Sequence, residues 1–130
     1  MGEKAKRIGV LTSGGDAPGM NAAIRAVVRQ GLTRGLEVYG IHRGFAGLLQ
    51  EEMEPMDAHS VSDIISRGGT ILQTARCLEF LQEEYQQKAA DICRKHGLDA
   101  VVTIGGDGSY KGSRNLKNHG INTMSMPGTI

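Results

Sequence analysis

Apolar residues fall along this chain in two kinds of block: short β-favouring runs, and longer stretches with apolar positions three and four residues apart. Ile8, Val10 and Leu11 make the first short run, which breaks into Thr12-Ser-Gly-Gly-Asp-Ala-Pro-Gly19. From Pro18, pre-set for a helix's first turn, Met20, Ala23, Ile24, Val27, Val28 and Leu32 recur at helical spacing and predict one apolar face. Gly35 is placed as the C-terminal cap, and Leu36 to Ile41 has strand character. Between His42 and about Glu79 the period is lost and glycine is frequent, which predicts connecting and ligand-facing loops. A short helix over Ser60–Ile65 is expected there, with Ser60 as cap and Asp63 at the capping-box position. The helical period returns from Phe80 to His96, with Phe80, Leu81, Tyr85, Ala89, Ile92 and Cys93 inward and Gly97 closing the helix. Asp99-Ala-Val-Val-Thr-Ile104 is the continuous apolar strand of a parallel sheet. A helix from about Ser109 to Asn118 and a strand around Ile121 to Met126 complete the pattern.

This alternation predicts an α/β fold: a doubly wound, mainly parallel sheet with helices on both faces, right-handed crossovers and a ligand crevice at the carboxyl ends of the strands. With 130 residues, 39% hydrophobic and 22% charged, the chain has enough apolar material for one core, so a single α/β domain spanning 1–130 is expected. A net charge of +1, with Lys and Arg scattered, gives no basic stripe of the kind that tracks nucleic acid. No transmembrane span or signal peptide is visible, which makes the expected location cytoplasmic. Cys77 and Cys93 have neither metal-ligand nor Cys-x-x-Cys spacing and read as reduced structural residues.

Two glycine loops, Gly14–Gly19 and Gly105–Ser109, leave predicted strands at the same sheet edge. The first matches neither standard nucleotide fingerprint, and a tight strand-to-helix turn would carry the same glycines. A helix start whose unpaired N–H groups face outward nevertheless suits a phosphate. Asp107 sits among such amides, where a carboxylate beside a phosphate is repulsive unless Mg²⁺ lies between them. Asp107 is therefore the metal candidate, against the alternative of a turn aspartate capping the next helix. Arg67 and Arg76 bracket a glycine-rich segment; either is a surface charge or a planar fork for phosphate oxygens, and composition does not choose. Arg25 and Arg29 share a helix face away from the apolar stripe. His96 and His119 each precede a helix-ending glycine, where an imidazole suits the helix dipole, and neither is expected to be catalytic or a metal ligand.

Thr12-Ser-Gly-Gly-Asp-Ala-Pro-Gly-Met-Asn21, Arg67-Gly-Gly-Thr70, Thr74-Ala-Arg76, Gly105-Gly-Asp-Gly-Ser109 and Pro127-Gly-Thr-Ile130 together resemble the N-terminal portion of the bacterial ATP-dependent 6-phosphofructokinases. The Gly-Gly-Asp-Gly element is shared with lipid and NAD kinases of a wider superfamily; the long first motif, in register with the others, is the specific one. The resemblance implies transfer of the γ-phosphoryl group of MgATP to the 1-hydroxyl of fructose 6-phosphate in glycolysis. It implies that Gly15, Arg76, Cys77, Gly106, Asp107, Gly108 and Ser109 line the ATP site, that Asp107 directs Mg²⁺, and that Arg76 bridges the phosphates as charge develops. Thr129 would lie at the sugar-phosphate site near the reacting hydroxyl, giving Arg76 and Thr129 as the catalytic residues in this chain. Gly108 and Gly128 match the ATP-using pattern, where pyrophosphate-using relatives tend to carry Asp and Lys. Arg25 and Arg29 match residues that bind an ADP effector at a subunit interface, and Ala58 departs from the arginine usual there. A homotetramer is the implied assembly of the complete enzyme.

In that family the Pro-Gly-Thr-Ile motif is followed at once by an aspartate that serves as catalytic base, and a second domain supplies most sugar-phosphate contacts. The chain therefore reads as a fragment with the sugar-phosphate domain absent, whose isolated form is expected to be poorly active or inactive. Two alternatives stand beside this: a non-catalytic MgATP- or ADP-binding module, and a wider-superfamily kinase with a lipid or NAD acceptor.

Overall fold

The computed structural model describes residues 6–14, 19–65 and 69–128, apart from the side chains of Asp107 and Gly108. Five strands form one sheet in the order β3-β2-β1-β4-β5. In chain order the elements are β1 (Arg7–Ser13), α1 (Gly19–Thr33), β2 (Glu37–Ile41), α2 (Gly44–Leu49), β3 (Met53–Met56), α3 (Glu83–Lys95), β4 (Ala100–Gly105), α4 (Asp107–Asn118) and β5 (Thr123–Met126). β1 pairs in parallel with both β2 and β4, β4 pairs in parallel with β5, and β3 runs antiparallel to β2.

The side-chain alternation along β1 builds two cores. Ile8 and Val10 face one way and pack with Met20, Ile24 and Val28 of α1; Leu11 faces the other, among Leu48, Ala89, Cys93 and Leu116 of α2, α3 and α4. Val10, Leu11, Ile24 and Leu116 have no exposed surface, and each such burial contributes about 1.5–3 kcal/mol. Helices thus cover both faces, as the apolar pattern predicts.

The order of the strands fixes where a ligand can enter. From β1 the chain passes over one face through α1 to β2, whereas β4 and β5 lie on the other side of β1. The reversal point falls between the carboxyl ends of β1 and β4, and in doubly wound sheets the crevice opens there.

Several local expectations change. The stretch read as loops contains α2 and β3: Gly44-Phe-Ala-Gly-Leu-Leu49 is too short and glycine-rich to show a helical period, and β3 is an edge strand that tolerates Pro55. The helix placed over Ser60–Ile65 is instead a single 3₁₀ turn, His59–Val61. Its entry is fixed by Asp57, whose carboxylate accepts from the Ser60 amide at 3.0 Å, while Asp63 adopts a left-handed backbone. The predicted helix from Phe80 divides at Gln82 into a 3₁₀ turn, Leu78–Leu81, and α3, and Phe80 stays in the core with Ala89, Ile92 and Cys93 of α3 while Leu81, expected inward, is exposed. α4 begins at Asp107, two residues earlier than expected. The caps hold: Gly35 and Gly97 have φ of +80° and +70°, and His96 and His119 are the C-cap residues of α3 and α4.

Candidate functional site

β1 and β4 end side by side, with Ser13 paired to Gly105. The two glycine loops therefore leave the sheet together. A Cβ at Gly105 would stand 2.2 Å from the Ser13 carbonyl oxygen and 2.9 Å from Ser109 Cβ, so only glycine allows this approach. Gly106, the N-cap of α4, has no side chain to satisfy the first-turn amides and faces open space. Asp107 occupies the first helical position, one residue after the N-cap Gly106. Among the described residues, the Ser109 hydroxyl is the one buried side-chain oxygen with no hydrogen-bond partner. A short uncapped run of amides beside an orphaned hydroxyl is a donor set for phosphate oxygens.

A crevice of about 370 Å³ opens at this junction. Its polar lining comes from Ser13 and Gly14 of the first loop, Thr74 and Arg76 of the segment before the 3₁₀ turn, and Lys111 and Asn115 from one face of α4. Its apolar lining comes from Phe45, Cys77, Phe80, Leu81 and Gly112. Phe45 and Phe80 stack with ring centroids 4.5 Å apart and planes 14° from parallel. Gly112 is packed against that pair, because a Cβ there would fall 2.3 Å from the Phe45 ring. Burial pushes the Cys77 thiol up from its ordinary pKa, so at neutral pH it adds no negative charge to the wall. A mostly apolar lining with an aromatic pair and a few polar and cationic groups has the composition of a small-molecule site suited to a base and its phosphates.

The structure puts Arg76 and Cys77 on the lining of this crevice; Gly106 lies beside Gly14, and Ser109 is buried against Gly105, so neither is itself a lining residue. Gly15 and Thr129 lie outside the described residues, as do Pro18 and Arg67, and of Asp107 and Gly108 only the helical backbone is described. Arg25 and Arg29 line a separate cleft on α1 with Ala22, Ala26, Gln30 and Thr33. Both cysteines are free, as their spacing predicts; Cys93 is fully buried and its thiol is pushed up to about 12. His96 and His119 make side-chain contacts with Glu51 and Gln87 at 2.7 and 2.9 Å, consistent with structural roles.

Phe45, Gly112, Lys111 and Asn115 were not legible as site residues in the sequence, and Phe80 was legible only as core. Gly112 carried the one available signal, since a glycine inside a helix is destabilising by roughly 1 kcal/mol against alanine and asks for a packing reason.

A phosphofructokinase family model matches residues 7–130. The chain is 65% identical to the ATP-dependent 6-phosphofructokinase of Paenibacillus macquariensis and 61% identical to ATP-dependent 6-phosphofructokinase 1 of Clostridium perfringens. Each match covers 96% of this chain and 39% of the relative, so the chain spans about two fifths of their length. Among solved structures, a phosphofructokinase from Saccharomyces cerevisiae superposes with a TM-score of 0.85 at 34% identity, over 95% of this chain and 20% of that one. A pyrophosphate-dependent phosphofructokinase from Marinobacter aquaeolei shares the fold at 20% identity and a TM-score of 0.70, over 94% of this chain and 32% of its own.

Proposed function

This chain belongs to the phosphofructokinase family, and we propose that it forms the nucleotide-binding α/β domain of an ATP-dependent 6-phosphofructokinase. In this reading residues 1–130 carry the nucleotide site, and a sugar-phosphate domain lies outside them. The observation that carries the proposal is the crevice itself, lined by the Phe45–Phe80 pair, Arg76 and Gly14 at the switch point of the sheet, where Ser13 pairs with Gly105. The names of relatives 61–65% identical favour ATP as donor.

The adenine lies against Phe45, Phe80 and Gly112, and the polyphosphate runs toward Gly14, Gly15, Gly106 and Ser109. The Arg76 guanidinium binds phosphate oxygens as a fork and takes up negative charge as the γ-phosphoryl group leaves. Asp107 and neighbouring oxygens would hold Mg²⁺, a hard cation that prefers oxygen ligands and would supply charge neutralisation when bound. The 1-hydroxyl oxygen of fructose 6-phosphate attacks the γ-phosphorus, the bond to the bridging oxygen breaks, and ADP departs. The hydroxyl proton passes to a base supplied beyond Ile130, with Thr129 beside the acceptor. Positioning and electrostatics supply most of the rate in such transfers. Arg25 and Arg29 bind an ADP effector across an interface of a homotetramer in the cytoplasm; among the described residues no helix is long and apolar enough to cross a membrane.

The test is a phosphotransfer assay on the complete protein. MgATP and fructose 6-phosphate should give ADP and the 1,6-bisphosphate, with pyrophosphate a poor donor, while the 130-residue chain binds MgATP without releasing ADP. A complete protein that ignores fructose 6-phosphate and phosphorylates a lipid or NAD would replace this reading.

A further inference from the structure

Arg76 sits at the end of a segment that is held unusually firmly three residues earlier. Asn21, 3% exposed at the start of α1, donates from its amide nitrogen to the carbonyls of Ile64 at 3.1 Å and Gly69 at 2.7 Å. Its amide oxygen accepts from the Ile71 N–H at 2.8 Å. Thr12, fully buried at the carboxyl end of β1, donates to the Gln73 carbonyl at 2.9 Å and meets the Thr70 hydroxyl at 3.0 Å. Since the single Thr12 proton is used on Gln73, the contact with Thr70 carries the Thr70 proton. Thr70 Oγ1 in turn accepts from the Leu72 N–H at 3.2 Å, and the Leu72 carbonyl accepts from the Arg43 amide at 2.8 Å. Gln73 itself is in the left-handed region, with φ of +63°, at the point where Thr12 grips its carbonyl. Thr74 to Cys77 then line the crevice.

We infer that Thr12, Thr70 and Asn21 are positioning residues for Arg76: a buried polar clamp from β1 and α1 that aims the guanidinium at the phosphate end of the crevice. The inference rests on the nucleotide reading of that crevice. A directional chain of hydrogen bonds gives the clamp its specificity, because the hydroxyl of Thr12 must accept and donate at once. The left-handed Gln73 is costly for a non-glycine residue and persists when surrounding contacts over-determine it. Through Gln73 the backbone direction of the next residues is set. Neither Thr12 nor Asn21 lines the crevice. Their loss should therefore act on the phosphate end and spare the base end.

The experiment compares ATP with adenosine on this chain by titration calorimetry, for the wild type, Thr12→Val and Thr12→Ser. Thr12→Val keeps the shape and removes the proton; ATP binding should weaken about tenfold while adenosine changes by less than about twofold. Thr12→Ser, which keeps the hydroxyl, should restore ATP affinity to within about twofold of wild type. A second measurement needs no variant: hydrogen exchange at the Ile71 and Leu72 amides of the wild type should slow with ATP and stay unchanged with adenosine, because coupling between clamp and phosphate is reciprocal. A wild type that binds ATP no more tightly than adenosine overturns the reading of the crevice. A preference for ATP that survives Thr12→Val intact, or amides that respond equally to both ligands, overturns the clamp alone.

Discussion

The crevice at the ends of β1 and β4 and the cleft on α1 are close in volume, about 370 and 350 Å³, and both present arginine. They differ in how many elements build them. The crevice draws on β1, α2, the segment before α3 and α4, so apolar, polar and cationic groups from separate elements converge on it. The α1 cleft is lined by a single helix, from Ala22 to Thr33. A surface of that kind holds an anion by charge and lacks a facing wall, so a second surface is needed to orient a ligand. Arginine becomes a specific phosphate ligand through what surrounds it; the charge alone is common to both places.

The contrast can be broken from the base end. Gly112→Ala should drive a methyl into the Phe45 ring, lowering stability by about 1–3 kcal/mol and weakening both ATP and adenosine by about thirtyfold. Calorimetric titration with the two ligands, set beside thermal melts, reads both effects. Arg76→Gln should weaken ATP about tenfold and leave adenosine within about twofold, since a charge-assisted fork is replaced by a neutral amide. Equal losses for the two ligands would place Arg76 away from the phosphates.

Acid should loosen the crevice before it affects α1. Glu51, at the end of α2, contacts His96 at 2.7 Å and Lys95 at 2.9 Å at the end of α3, and these hydrogen bonds hold its carboxyl below the usual range. A depressed folded-state pKa contributes stability that is present above the unfolded value near pH 4 and fades as pH falls below it. The backbone signals of α2, which carries Phe45, should therefore broaden in acid ahead of those of α1, and Glu51→Gln should shift that onset. The smallest effect belongs to the α1 cleft: Arg25→Ala with Arg29→Ala should change ATP affinity of the crevice by less than about twofold.

Much of this contrast was legible in the sequence, and for identifiable reasons. Ile8 to Leu11, Met20 to Leu32 and Asp99 to Ile104 are long or strongly periodic, and their pattern led to the right sheet and the right faces. The two glycine loops stood out from the residues themselves; Arg76 was a candidate from its glycine-rich setting, and its role and that of Cys77 were assigned through motif resemblance. Phe45 was hidden because α2 has six residues and two glycines, so no period identifies it as a helix with an inward ring. Phe80 was absorbed into a helical stripe that breaks at Gln82. Asp57 supplies the capping side chain for the turn at 59–61, and Ser60 answers it from the third position. The Asp57 carboxylate accepts from the Ser60 amide and the Ser60 hydroxyl accepts from the Asp57 amide, a reciprocal pair set three residues earlier than the sequence reading placed it. The clamp of Thr12, Thr70 and Asn21 joins residues up to 61 positions apart, and only the tertiary fold brings them together.

The most direct measurement is a titration of MgATP into the isotopically labelled chain, followed by amide and aromatic NMR shifts. The account predicts that the largest changes fall on Phe45, Arg76, Cys77, Phe80 and Gly112, with Arg25 and Arg29 unmoved at ligand concentrations that saturate the first set. Changes concentrated between Ala22 and Thr33, with the Phe45 and Phe80 rings silent, would contradict it.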